Sequence, residues 1–168
     1  MPNDMEEADF EAVAARAGVG KATIYRWWPS KGALAVAGFL AETEPKIAYP
    51  NTGSSLLDLI AQLKRVAAVY GGAAGRVLAA IIAEGQRDPH TLAAFIDGYA
   101  RPRREEAKAI LRAGIERGEL RSDIDIDIAL DALYGPIYYR MLVPLGSLDS
   151  AWVETLARSV LGGLAAPK

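Results

Sequence analysis

The sequence contains no cysteine and a single histidine, His90, in 168 residues. Without thiols there is no disulfide framework, no thiolate metal site and no cysteine nucleophile, a composition that suits a reducing cytoplasm. One imidazole cannot build a histidine-rich metal site or a relay of several histidines. No stretch approaches the ~18 apolar residues that cross a bilayer. The first ten residues, MPNDMEEADF, are acidic and lack the apolar segment of a secretory signal. Neither sign of charge is in large excess: the net is −2 at pH 7. That argues against a surface coated in nucleic acid but leaves room for a local basic face. The expectation is a cytoplasmic protein with no metal, no cofactor and no membrane partner. What the chain has in quantity is apolar residues, 51%. They suffice for a sizeable core in one domain, or in a small and a medium domain sharing an interface.

Most of the chain repeats with helical period, and the expected fold class is all-α. SSLLDLIAQLKRVAAVY places Leu56, Ile60, Leu63, Ala67 and Tyr70 on one face, with Ser54 or Ser55 as N-cap. GRVLAAIIAEGQRD repeats the pattern with Val77, Leu78, Ile81 and Ile82. Residues 90–118 read as one long helix or two, with a bend or break at Pro102 and Gly118 at the end. Residues 127–142 are apolar almost all round, with Gly135-Pro136 inside. In 149–164, Asp149 caps a helix whose face is Val153, Leu156, Ala157, Val160 and Leu161. DIDIDI, 123–128, alternates like an edge strand but has no partner strand in the sequence. It reads better as a loop in which Asp123 and Asp125 lie before a helix and Asp127 sits in its first turn. A calcium loop would need a glycine and a distant glutamate that are missing.

The aromatic and basic chemistry gathers near the front, in GVGKATIYRWWPSK, 18–31. Phe10, Val13, Ala14 and Ala17 form one helical face, Gly18 supplies a left-handed turn, Val19 packs down and Ile24 returns to the same small core. That is the pattern of a helix-turn-helix unit. Its second helix would show Lys21, Ala22, Thr23, Tyr25 and Arg26 to solvent, with its first residues at the end that enters a major groove. Ala22 can touch a thymine methyl, Thr23 a base edge or phosphate, and Tyr25 a phosphate oxygen. Pro29 stops this helix and Ser30 caps the next, leaving Lys31 at an N-terminus suited to phosphate. Trp28 is expected in the core, while Trp27 is open between core and contact.

VAARAGVGKATIYRWWPSKGAL, 13–34, resembles the DNA-binding signature of the TetR family of bacterial transcriptional regulators. Residues 101–143 resemble, more loosely, the C-terminal effector domain of a large subgroup of that family. The resemblance implies two parts: residues 1–44 as the helix-turn-helix DNA-binding domain and 45–168 as a helical effector-binding and dimerisation domain. It also implies an Ω-shaped homodimer whose last two helices form an intersubunit four-helix bundle. A small, largely apolar effector would bind in each body and release operator DNA, as in a repressor. One departure stands out. The family's longer first helix has no counterpart in MPNDMEEA, so that helix is expected to be largely missing. A two-helix remnant buries little surface. The alternative reading is therefore a dimeric small-molecule-binding protein with impaired DNA binding.

Within the body, Tyr134, Tyr138 and Met141 on the Pro136 helix, together with Phe95 and Tyr99, read either as core and dimer interface or as the lining of a pocket with tyrosine hydroxyls as polar handles. The run Arg101, Arg103, Arg104, Glu105, Glu106 reads as a solvated face with mixed pairs rather than a second nucleic-acid patch. His90 reads as an exposed residue at a helix start. GGAAG, 71–75, is a helix–helix connection and not a phosphate loop. An all-α enzyme would need convergent acid–base groups among faces that are apolar, with Glu84 the one obvious intruder, so no catalytic residue is expected.

Overall fold

The computed structural model of the protein describes residues 15–16, 18, 20–28 and 30–165, with the backbone alone for Lys21 and Tyr25. Phe10, Val13, Ala14, Ala17, Val19 and Pro29 lie outside the described residues. Those described contain eight α-helices: α1 Lys21–Trp27, α2 Lys31–Thr43, α3 Ser55–Tyr70, α4 Ala73–Gly85, α5 Pro89–Phe95, α6 Arg101–Glu116, α7 Ile126–Leu142 and α8 Ser150–Leu164. A 3-10 turn, Glu44–Lys46, follows α2, and a π-helical segment, Ile96–Ala100, joins α5 to α6. The all-α class expected from the period is the one the structure has. Its one extended contact among the described residues is a single bridge between Leu120 and Ala165.

The helix starts follow local chemistry. Ser30, Ser54, Asp88, Asp125 and Asp149 each accept a hydrogen bond from an amide in the first turn that follows. Such caps contribute typically ~1 kcal/mol each. Ser54, not Ser55, caps α3; Ser55 is buried and donates to the Ile110 carbonyl at 2.5 Å. Asp88, not His90, caps α5, and His90 is exposed. Gly118 ends α6 with φ +73°. Its N–H reaches the Ile115 carbonyl at 3.0 Å, and the next N–H, of Glu119, reaches the Gly114 carbonyl at 2.9 Å. This pair of bonds requires a left-handed residue at the turn. Pro102 is the second residue of α6, and the turn that precedes it is the π segment, so the helical run continues through the position where a bend or break was expected. Pro136 lies inside α7, which runs through it from Ile126 to Leu142.

The described residues form two cores of unequal size. The larger is centred on α3, whose Leu59, Leu63, Val66, Ala67 and Tyr70 are buried against Leu78 of α4, Leu111 of α6, Leu133 and Ile137 of α7, and Val153 and Ala157 of α8. Leu56 and Ile60, placed on the inner face of α3 by period alone, are half-buried. The smaller core is Ile24 with Trp28 and Leu34. Helix α2 belongs to both: Leu34 packs on Ile24, while Val36 and Phe39 join the larger core. The two cores are therefore held by one continuous helix. Gly71–Gly72 make the α3–α4 connection; Ala73 to Gly75 already form the first turn of α4.

Leu133 is fully buried in the centre of α7. Leu133→Ala should cost about 2–5 kcal/mol, the range for a leucine removed from a packed core, read as a lowered midpoint in urea unfolding. Lys64 of α3 and Glu154 of α8 pair at 2.5 Å, and Arg158 adds a second contact to Glu154 at 2.7 Å. These bonds hold the Glu154 carboxyl down, to about 2 from an ordinary 4.5. A depressed carboxyl stabilises the fold above its unfolded value and loses that contribution as pH falls towards its folded value. Thermal midpoints measured from pH 4.5 down to 2 should therefore fall less steeply in Glu154→Gln than in the parent.

Candidate functional site

Helix α1 begins at Gly20, whose extended backbone (φ −70°, ψ 144°) turns the chain into the helix, after Gly18 at φ +67°. A left-handed residue at 18 and an extended one at 20 let the chain turn within few residues, which a tight helix-turn-helix junction needs. Ile24 is buried, Trp28 is half-buried beside it, and Ala22, Thr23 and Arg26 are exposed. Trp27 is 69% exposed, so it is a surface residue. Lys31 is the exposed first residue of α2, after the Ser30 cap that accepts from Ala33 N–H at 3.1 Å. The backbone of Lys21 and Tyr25 lies in α1; their side chains lie outside the described residues.

A cavity of about 390 Å³ lies in the body. Its walls come from the segment before α3, α3 itself, the end of α5 with the π segment, α6 and α7. Of the five residues expected there, Phe95, Tyr99, Tyr134 and Tyr138 line it. Met141 is not in the lining; it sits half-buried against the larger core, one turn beyond Tyr138. The polar lining also contains residues not expected there: Tyr49 and Gln62, which helical period did not single out; Tyr70, which period placed only on the inner face of α3; and Arg101, Arg103 and Arg104, which read as a solvated face. Gln62 carried a legible signal, being one amide on an otherwise apolar face. Tyr49, in a loop, carried none. Glu84 is exposed and pairs with Arg87, away from the cavity.

Two hydroxyl clusters face this space. In the first, Tyr134 donates to Gln62 Oε1 at 2.7 Å and lies 2.6 Å from the Tyr49 hydroxyl. In the second, the Tyr70 hydroxyl bonds both Tyr99 and, at 3.2 Å, Tyr138. Burial pushes all five phenols above the usual tyrosine range, so they are neutral. Rings reinforce the arrangement: Phe39 and Tyr99 meet edge-on at 5.1 Å, and Tyr70 and Tyr138 at 5.4 Å. The arginine run is only partly the surface face expected. Arg101 pairs with Asp97, Arg103 with Glu106, and Arg104 crosses to Asp127 and Asp131 of α7. Asp125 caps α7 and Asp127 sits in its first turn. Among the described residues, no group of three or more His, Cys, Asp or Glu could hold a metal ion.

The cavity wall is also the seam to α2. Phe95, Ile96 and Tyr99 line the space, while Thr91 and Gly98 of the same continuous stretch touch α2. A Cβ on Gly32 would fall 1.8 Å from Thr91 Oγ1, and one on Gly98 would sit 3.6 Å from Val36 and 3.8 Å from Leu40. Thr91 is buried and anchored on Asp88, to which it donates at 2.5 Å. The two helices approach as closely as a bare backbone allows.

Comparison with known proteins defines the class. The profile described as bacterial regulatory proteins, tetR family, matches residues 3–37, and that described as tetracyclin repressor-like, C-terminal domain, matches residues 49–160. The chain is 35% identical over 156 residues to the HTH-type transcriptional regulator YdeS of Bacillus subtilis, covering 93% of this chain and 79% of YdeS. In structure it is similar to the TetR family transcription regulator SCO0332, with a TM-score of 0.85 and 39% identity over 93% of this chain and 86% of that one. It shares the fold of the ketosteroid transcriptional regulator KstR2 of Mycobacterium tuberculosis, with a TM-score of 0.64 and 22% identity over 94% and 85% of the two chains. The chain belongs to the TetR family of DNA-binding, helix-turn-helix transcriptional regulators.

Gly32→Ala should force α2 and α5 apart, because the buried Thr91 has no room to turn aside. The expected outcome is weaker DNA binding with a retained helical body, checked by fluorescence anisotropy on duplex alongside far-ultraviolet circular dichroism.

Proposed function

We propose that the protein is a repressor that grips operator DNA as a homodimer and lets go when a small, largely apolar effector fills the cavity. In this reading residues 1–44 are the DNA-binding domain and 45–168 the effector-binding and dimerisation domain. Lys21, Ala22, Thr23, Tyr25, Arg26 and Lys31 are the contacts to bases and phosphates. The observation that carries it is the shared wall: the stretch 91–99 borders the cavity on one side and α2 on the other. An occupant that displaces Phe95 or Tyr99 acts on α2 with no intervening layer. By linkage, the factor by which it weakens DNA binding is the factor by which DNA weakens its own.

Pairing through α7 and α8 is supported by an unpartnered apolar stripe on α7. Ile128, Ala132, Gly135, Tyr139 and Leu142 recur at helical spacing and are all exposed, Ile128 at 66% and Tyr139 at 57%. A contiguous apolar face of this kind on a helix end of a globular body marks an interaction site. Two DNA modules carried on such a dimer would meet half-sites on one face of the duplex.

The test is a duplex enriched from a random pool, titrated by fluorescence anisotropy, with size-exclusion light scattering for mass. The parent should be dimeric and bind in a sequence-dependent, salt-sensitive manner. Tyr139→Glu, which buries a charge in the pairing face, should yield monomer and lose at least ~10-fold in operator affinity, because the two half-sites no longer bind as one unit. A monomeric parent, or a Tyr139→Glu dimer with full affinity, would overturn the pairing. Dimer formation without sequence-dependent DNA binding would favour the ligand-binding alternative.

A further inference from the structure

We infer that the cavity selects an uncharged, mostly apolar molecule carrying one hydrogen-bond-accepting oxygen, such as a ketone, ester or lactone, and that the surplus proton of the Tyr70–Tyr99–Tyr138 cluster reads that oxygen. This rests on the cavity being the effector site and adds the chemical class of its occupant.

The two clusters differ in how many of their protons find an acceptor. In the Tyr49–Tyr134–Gln62 cluster, Tyr134 gives its proton to Gln62 Oε1, so the 2.6 Å contact with Tyr49 is filled by the Tyr49 proton. The Gln62 amide donates onward to the Ile47 carbonyl at 3.4 Å. Both phenol donors are engaged. In the other cluster three hydroxyls share two contacts, Tyr70 with Tyr99 and Tyr70 with Tyr138. A phenol has one proton to donate. Three donors and two bonds leave one O–H without an acceptor among the described residues, and all three residues line the cavity. An incoming carbonyl or ether oxygen completes the cluster; a hydrocarbon leaves that donor unpaired in an apolar space.

Charge is selected against from both sides. No carboxylate lines the cavity among the described residues, and three guanidinium groups do, so an ammonium ion meets repulsion and no counter-ion. Those guanidinium groups are themselves engaged. Arg103 donates to the Ile47 carbonyl at 2.6 Å and to Glu106 at 2.7 Å, and Arg104 holds Asp131 at 2.7 Å and Asp127 at 2.9 Å. Arg101, Arg103 and Arg104 are already matched by Asp97, Glu106, Asp127 and Asp131, so a carboxylate occupant would add negative charge to a set whose positive charge is already balanced. The rest of the wall, Val66, Phe95, Ile96, Ala100, Ala107 and Leu130, is apolar, and a drug-sized apolar body fits a space of this order.

Four naphthalene probes of one size test the claim by calorimetric titration of the full chain: acetylnaphthalene, isopropenylnaphthalene, naphthoate and naphthylmethylammonium. The ketone should bind about five- to tenfold tighter than its oxygen-free counterpart, the scale of one added hydrogen bond, and both ions should bind more weakly than the ketone. Equal affinity of ketone and hydrocarbon, tightest binding by either ion, or no binding by any of the four overturns the inference. In the triple variant Tyr70→Phe, Tyr99→Phe, Tyr138→Phe, the ketone's advantage should vanish while the hydrocarbon binds as before; a folded triple variant that keeps the advantage also overturns it. Should the triple variant not fold, the parent series decides alone. Duplex release is followed in parallel. Naphthoate binding tightest and releasing duplex would sink this inference and leave the regulatory reading intact. Tight ketone binding without release would support the inference and sink that reading.

Discussion

The close approach of α2 to the stretch that begins with α5 is the constraint on which the rest of this structure turns. Gly32 has no side chain because Thr91 occupies the place where one would be. Thr91 is held there by Asp88, which also caps α5, so the cap and the seam are fixed by one carboxylate. These bonds keep the Asp88 carboxyl below the usual range, the bond from Thr91 above all. The stretch then continues through the π segment, which carries Ile96 and Tyr99 to the cavity wall. One wall of the cavity and the surface that meets α2 are thus the two sides of a single helical layer.

The same layer explains why the body is packed as it is. Helix α3 runs through the middle and offers a side chain to nearly every other element, from Leu59 near its start to Tyr70 at its end. Its polar exceptions, Asp58 and Gln62, are both buried and both partnered: Asp58 accepts from Thr52, and Gln62 is bound by Tyr134. No buried side-chain nitrogen or oxygen among the described residues lacks a partner. A cavity rich in tyrosine can therefore persist inside an apolar core with every hydroxyl oxygen in at least one hydrogen bond, the surplus proton of the Tyr70 cluster being the one donor left over.

The exposed face of α7 completes the picture. A helix that is apolar all round must bury two faces, and within one protomer α7 buries one of them, through Ala129, Leu130, Leu133 and Ile137. The remaining stripe is consistent with a family whose members work in pairs.

The amino-acid order by itself settled the parts of this protein that depend on neighbours close in sequence. Helical period, the Ser and Asp caps, the left-handed Gly18 and Gly118, and the motif in 18–31 are all local, because a helix closes its bonds four residues apart and a cap closes three. The preference of Asp125 for a cap over a strand belongs here too: a strand needs a distant partner and the cap needs the next three residues. Tertiary structure alone decided the cavity. Tyr49, Gln62 and Tyr70, Tyr99, Tyr134 and Arg103 come from five different elements, and period shows which face of a helix is inward, not what it meets there. The four lining residues on α5, the π segment and α7 were legible as inward aromatics, and Met141, inward too, turned out to be packed rather than lining. An empty space is a property of how helices cross, and crossing angles are set by side chains far apart in the chain, so no local pattern can encode it.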